Sequence, residues 1–338
     1  MARRLSPLKL VGAGLVLLAV TVVILWQVPS NDFILLPDRA HAVAPFVSVA
    51  GESKANGPGG IYYVDVFEKR ASLLEQLFPD VLHDGASIVP AAALVPPGTN
   101  DRAMEQAQLR EMTRSQQIAA AVALRELGYH VVARPNGVIV DTVFADTHAA
   151  GKLIPTDVII SVDGKPVRTV AALHQALSRL KIGAVVRLGV QRGDRRIIVN
   201  VRTVPSPDRT PRAIVGFVPD QSVDIRLPIK VHIDVRGVGG PSAGLAFALQ
   251  VMEELGRKVD RGYRVAATGQ IEPDGSVTSI GGVKQKTFGV REAKADVFLV
   301  PAGDNATEAK RYAHGLRIVP VKSFQQALHA LATLPPRQ

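Results

Sequence analysis

Hydrophobic and polar positions fall into successive regimes along the chain. An uncharged, largely apolar run from Leu10 to Trp26 comes first and has the length of a helix rather than a strand. From Phe33 to Pro79, FVSVAG and then GIYYVDVFEKRASLLEQLF alternate apolar and polar residues before taking on helical spacing, which predicts strands and one helix. VPPGTN, Val95 to Asn100, is a predicted loop; DRAMEQAQLREMTRSQQIAAAVALRELG after it reads as one long or two short helices ending at Gly128, a natural C-cap. Between Gly137 and Val201 the period becomes two, in GVIVDTVF, DVIISVDGKPV and AVVRLGVQRGDRRIIVNVRTV, interrupted by the helix TVAALHQALSRL. Asp163-Gly164 and Gly193-Asp194 sit between alternating runs as hairpin turns do. PSPDRTPR, Pro205 to Arg212, is a polar linker, and a mixed α/β pattern occupies the remainder without internal repeats.

A chain of 338 residues exceeds one compact domain. The patterns divide it into a tail and apolar helix at 1–30, an α/β region at 31–113, a β-rich domain at 114–204, a linker at 205–212 and a second α/β domain at 213–338. The apolar fraction, 47%, is concentrated near the N-terminus. Arg3, Arg4 and Lys9 precede the run and Trp26 closes it, the arrangement of a single membrane-spanning helix whose basic flank stays inside. The chain after residue 30 then lies on the extracytoplasmic side of the cell membrane. The competing reading is a cleaved signal peptide with the small-residue motif AHA at Ala40 to Ala42, but that motif lies far beyond Trp26, and a retained anchor is the expectation.

Cysteine is absent, which excludes disulfides, thiolate metal sites and a cysteine nucleophile. The net charge of +10 comes from scattered Lys and Arg, and aromatic residues make up only 5%, so no nucleic-acid partner is expected.

GVIVDTVF, AAGKLIPTDVIISVDGKPV and the helix after them resemble a PDZ domain of the bacterial protease type. The resemblance implies a groove for extended peptides, with its helix at about Val170 to Leu180 and its carboxylate-holding loop near Leu127, Gly128 and Tyr129. A plain helix cap at Gly128 is the alternative. Thr156 stands where the family usually has glycine.

RGVGGPSAGLAFALQ packs glycines and a proline around Ser242 and then turns helical. A serine attacks only when a base takes its proton and donors meet the developing oxyanion. The free N–H groups and positive dipole end of the following helix suit an oxyanion, although a serine at a helix start is more often a simple N-cap. In VKQKTFGVREAKADVFLVP, Val283, Lys286, Val290 and Ala293 share one helical face, while Lys284, Gln285 and Arg291 point away. A lysine with its ordinary pKa near 10.4 becomes a base only when burial lowers it, and an apolar stripe supplies that burial. Snorkelling past its neighbours is the competing role.

GGPSAG, ATGQI, IGGVKQK and VFLVP, in this order, resemble the Lon-type serine proteases over about Ala213 to Leu334. The resemblance implies Ser242 as nucleophile, Lys286 as general base, Thr268 as the partner that orients the lysine, and oxyanion donors among the backbone N–H groups from Gly240 to Ala243. Departures are Gly239, near which the family often has an acid, and Gln270 in place of a glutamate. No G-x-x-x-x-G-K-[ST] or H-E-x-x-H motif occurs, and no cofactor or metal is expected. His232 and Asp234 read as structural strand residues.

The whole resembles the bacterial PDZ-containing Lon-like proteases of the YlbL type: an α+β multidomain chain with one N-terminal transmembrane helix, a PDZ-like β-rich domain and a Lon-type α/β proteolytic domain. The implied activity is that of a membrane-tethered, ATP-independent serine endopeptidase acting on unfolded or membrane-associated polypeptides, and the implied assembly is a homohexamer. The alternative is a non-catalytic, membrane-anchored peptide-binding scaffold or adaptor.

Overall fold

A computed structural model describes residues 7–50, 59–94, 101–206, 212–235 and 237–335. Arg3 and Arg4, the VPPGTN loop, most of the PSPDRTPR linker and Arg236 lie outside the described residues.

The apolar run is one helix, α1 (Pro7–Gln27), long and apolar enough to cross a membrane, with none of its apolar stretch buried in the protein. After it come β1 (Pro29–Pro37), β2 (His41–Ala42), β3 (Val47–Val49), β4 (Gly60–Tyr63) and β5 (Val66–Ser72). The short helices α2 (Leu73–Leu77) and α3 (Pro79–Leu82), strand β6 (Ser87–Val89) and α4 (Ala91–Leu94) complete this part. Ser72 and Glu75 form a reciprocal capping box that starts α2.

These elements do not make a separate region. β1 pairs with β5 and β6 in a small antiparallel sheet, β3 pairs with β15 (Val231–Ile233), and β2 and β4 enter the sheet of the C-terminal part. That sheet runs β2-β4-β16-β19-β20, with β16 at Arg264–Ala267, β19 at Val297–Pro301 and β20 at Arg317–Val321. β4 lies parallel to β16 at a register of Ile61 with Val265. The expected boundary between 31–113 and 213–338 is therefore not a boundary of packing. Local periodicity reveals a strand but not which distant strand it pairs with.

The β-rich segment is inserted between these halves. It enters through α5 (Asp101–Glu126), a single helix, and runs through β7 (Val132–Val143), β8 (Val158–Val162), β9 (Lys165–Pro166), α6 (Val170–Leu177), β10 (Val185–Arg192) and β11 (Arg195–Arg202). The hairpins expected at Asp163-Gly164 and Gly193-Asp194 join β8 to β9 and β10 to β11. The small pair β12 (Val204–Pro205) and β13 (Ala213–Ile214) then leads into β14 (Phe217–Arg226). β14 adds to this sheet beside β7, giving the order β11-β10-β8-β7-β14.

The C-terminal part continues with α7 (Gly244–Glu254), β17 (Gln270–Ile271), β18 (Val277–Thr278), α8 (Val283–Glu292), α9 (Asp304–Arg311) and α10 (Phe324–Ala332). Its central strands are covered on both faces, as a parallel sheet requires. Val265, Ala267, Val297 and Leu299 pack with α5, α7 and α10, while Ala266, Phe298 and Val300 pack with α8 and α9. Every residue of α7 is buried. The inserted domain has its own core around Val138, Ile159, Leu173 and Val190.

Candidate functional site

Helices α7 and α8 lie on opposite faces of the sheet, and their N-terminal ends meet beyond the C-terminal end of β16. That is where α/β sheets present ligands. Thr268, the residue after β16, is fully buried and anchored by its N–H on Leu299 O at 3.0 Å. Its hydroxyl donates to Ser242 O at 3.1 Å, and Gly269 N–H donates to the same carbonyl at 2.8 Å. Two donors thus fix the backbone of Ser242 just before α7 begins.

Lys286 enters from the first turn of α8. The expected stripe is buried: Val283, Lys286, Val290 and Ala293 are each at most 3% exposed. Lys286 Nζ lies 2.6 Å from Ser242 Oγ and 3.3 Å from Thr268 Oγ1, so the structure brings Ser242, Lys286 and Thr268 together. Burial lowers the Lys286 pKa from its ordinary value to about 8, against the opposing field of the Asp65 carboxylate.

The opposite face of α8 differs from expectation. Gln285 is buried, donating to Gly85 O and to Ser87 Oγ at 2.9 Å each, and Lys284 donates to Ala86 O at 2.7 Å. Residues 80–87 cover what a helical wheel draws as the solvent side. Gly289 permits the approach of the N-terminal chain: its carbonyl accepts Ala40 N–H, and a Cβ there would overlap the Asp38 carbonyl oxygen.

Around Ser242 the backbone donors sort themselves. Gly240 N–H is already committed to Gln108 O at 2.9 Å, which removes it from the expected oxyanion donors. The N–H groups of Ser242 and Ala243 have no acceptor among the described residues. Gly239 faces α5 so closely that a Cβ would come within 2.9 Å of Gln108 Cβ, so a larger side chain there would require α5 to shift. His232 lies in β15 and pairs in register with Ser48, and Asp234, the residue after the strand, donates its N–H to Phe46 O at 2.9 Å.

Leu127, Gly128 and Tyr129 do not join this site or the PDZ groove. They close α5: Gly128, at φ +84°, and Tyr129 donate to Arg125 O and Leu124 O, and Leu127 packs on the core of the C-terminal part. The groove along α6 is instead walled by β14. Its lining includes Leu173, His174 and Leu177 from the helix and Phe217, Val218 and Pro219 from the strand, around a volume of about 460 Å³. β14 is the edge of its sheet, so its outer backbone is open to a further strand. Sequence order misleads here because the wall follows the domain that it completes. Thr156 adopts the glycine conformation, φ +72°, and its hydroxyl accepts Arg110 Nε at 2.7 Å.

Two residues near the site went unread in the sequence. Asp65, between β4 and β5, is partly buried with one carboxyl oxygen unpartnered; burial and the Asp38 carboxylate raise its pKa. Asp38, His41 and Asp65 each bring one ligand-type atom within 4.8 Å of the others, the one such group among the described residues. Glu111, on α5, faces a cavity beside Pro241. No spacing signal distinguishes either from an ordinary surface acid.

Residues 125–203 match the family model of the PDZ domain, and residues 219–333 match that of the Lon protease (S16) C-terminal proteolytic domain. Among curated proteins, Lon protease 2 of Bacillus subtilis is 31% identical over 119 residues, covering 35% of this chain and 20% of that protein. Lon protease of Azorhizobium caulinodans is 33% identical over 131 residues, covering 35% of this chain and 15% of that protein. The chain spans a fifth or less of the length of these relatives. Among solved structures, the PDZ domain of the SdrC-like protein from Listeria monocytogenes aligns with 25% of this chain and 87% of its own at 23% identity and a TM-score of 0.24. The chain thus carries a segment similar to the PDZ domain, followed by one similar to the C-terminal proteolytic domain of Lon proteases (S16).

Proposed function

We propose that the protein is a membrane-tethered, ATP-independent serine endopeptidase in which Ser242 and Lys286 form the catalytic dyad. The observation that carries this reading is the 2.6 Å contact between Ser242 Oγ and the Nζ of a fully buried lysine whose pKa has fallen to about 8. In its neutral form Lys286 accepts the Ser242 proton as Oγ attacks the substrate carbonyl. The oxyanion that forms meets the uncommitted N–H groups of Ser242 and Ala243, supported by the N-terminal end of α7. Protonated Lys286 then delivers its proton to the leaving amine, and after that departs it takes a proton from the water that hydrolyses the acyl-enzyme. Thr268 holds both the lysine and the serine backbone in register through its single hydroxyl.

The groove between α6 and β14 supplies the peptide-binding function of the PDZ domain, by addition of an extended segment to the β14 edge. These 338 residues carry no phosphate-loop motif, which supports the ATP-independent reading, with substrates that are polypeptides needing no unfolding. Membrane tethering is supported by α1 and by the exposed apolar side chains of Leu77, Phe78 and Val81 on α2 and α3, near the end of α1. Retention of the anchor is supported by AHA itself. His41 and Ala42 form β2, paired with β4, and cleavage after Ala42 would remove β1 with the fully buried Ile34.

The test is incubation of the protein with unfolded casein and a peptide library, beside Ser242→Ala and Lys286→Ala. Cleavage that disappears in both variants is the expected result. Cleavage indifferent to either substitution overturns the dyad.

A further inference from the structure

A cavity of about 280 Å³ lies where α5 meets β7 of the PDZ sheet and the loop that carries the nucleophile. Pro241, immediately before Ser242, forms part of its wall, and so do Gln270 and Ile271 of β17. β17 pairs only with β18 among the described residues, which leaves its other edge open to an extended backbone beside the cavity. The remaining walls include the apolar side chains of Met104 and Ile118, and Glu111 projects among them.

We propose that this cavity receives a basic side chain of the substrate, lysine or arginine, and that Glu111 is the carboxylate that selects it. The proposal rests on the peptidase reading above and adds the substrate's chemical class. Glu111 takes no side-chain hydrogen bond from any described residue, so its carboxylate oxygens are left for a ligand to meet, with Arg114 and Arg110 acting on it only through their fields. The two nearest cations, Arg114, which also lines the cavity, and Arg110, whose Nη2 is buried without a partner, make no hydrogen bond to it, and each has a bond elsewhere. Arg114 donates to Asp220 Oδ2 at 2.8 Å and reaches Gln221 O at 3.4 Å, and Arg110 Nε donates to Thr156 Oγ1. A second carboxylate, Asp141, lines the same cavity.

Both halves of a basic side chain find a counterpart. The aliphatic stem lies along Met104, Ile118 and Ile271, and the charged tip reaches the carboxylates. Burial first, and the Asp141 carboxylate second, push Glu111 up to about 7 against the fields of Arg114 and Arg110. An incoming cation favours the ionised form, so a basic substrate strengthens its own partner as it binds. An acidic side chain would meet the opposite field.

The experiment uses the full chain in detergent micelles and fluorogenic peptides that differ only in carrying lysine, norleucine or glutamate at one position, scanned across the cleavage site. At the position that occupies the cavity, the kcat/KM ratio of lysyl to norleucyl peptide is expected to be about tenfold or more, and Glu111→Gln is expected to lower that ratio about tenfold. Glu111→Lys is expected to turn the preference toward the glutamyl peptide, a gain that a folding defect cannot imitate. A ratio unmoved by both substitutions overturns the proposal. If no Ser242-dependent cleavage is detected at all, the peptidase reading fails, and the cavity is judged by binding of the same peptides to Ser242→Ala. Tighter binding of the lysyl peptide that is lost with Glu111→Gln sustains the site, and equal binding of all three peptides removes it.

Discussion

Lys286 is protonated in about nine of ten molecules at pH 7 if its pKa is about 8, and only the neutral remainder can accept the serine proton. Peptidase activity is therefore expected to rise with pH and level off above about 8, measured as kcat/KM on an uncharged peptide. The same shift bears on stability. The folded-state pKa lies below the ordinary 10.5, so between about 8 and 10.5 the unfolded chain binds a proton that the folded one does not, and stability rises with pH across that window. Below it the penalty of burying the charged lysine stands in full. Lys286→Met is expected to abolish cleavage and yet to stabilise the protein at pH 7 by about 1–2 kcal/mol after the lost hydrogen bonds are discounted, seen as a Tm higher by a few degrees. Thr268→Val keeps the shape and removes the hydroxyl that holds Lys286 and Ser242 O; kcat is expected to fall about 10- to 100-fold with little change in KM. Much of the geometry around Ser242 and Lys286 was legible in the sequence. Ser242 sits between glycine-rich turn and apolar helix, and Lys286 on an apolar stripe, because one-dimensional spacing encodes helix faces. The commitment of Gly240 N–H to Gln108 was not legible, since it depends on a helix placed far upstream.

At the scale of elements, α8 shows how propensity yields to packing. Alanine normally favours a helix over glycine by about 1 kcal/mol, so Gly289→Ala looks stabilising in isolation. Here the added methyl would overlap the backbone at Asp38, and the substitution is expected to cost about 3 kcal/mol or more and to displace Lys286 from Ser242. Thermal unfolding and residual activity check both effects. A different neighbour explains why Gln285, which points away from the Lys286 stripe, is nonetheless buried: the wheel places residues on faces but cannot say that residues 80–87 cover the outer one. Hairpins at Asp163-Gly164 and Gly193-Asp194 were readable because turn chemistry is local. The parallel pairing of β4 with β16 and the antiparallel pairing of β14 with β7 were not, because both join segments separated by most of a domain.

For the whole molecule, the chain folds around a sheet whose first strands precede the PDZ-like segment and whose last follow it. A version beginning at Val28, without α1, is expected to fold. One beginning at Val43 lacks β1 and β2 and leaves Val89 and Lys69 without the strand that pairs them; it is expected to be unfolded or aggregated by circular dichroism and size-exclusion chromatography. A third truncation follows from the strand that both domains share. β14 lies mostly within the stretch matched to the proteolytic domain, yet it walls the PDZ groove and covers one edge of β7. A PDZ fragment cut at residues 125–203 would keep α6 but lose half of its groove, and the bare β7 edge would seek a substitute in another copy of itself. The same fragment carried on to Arg226 would bring its own wall and is expected to elute as a monomer. The PDZ-like segment is thus not portable on the boundaries that sequence similarity draws for it, and a graft onto another protein would have to borrow β14 from the segment that follows.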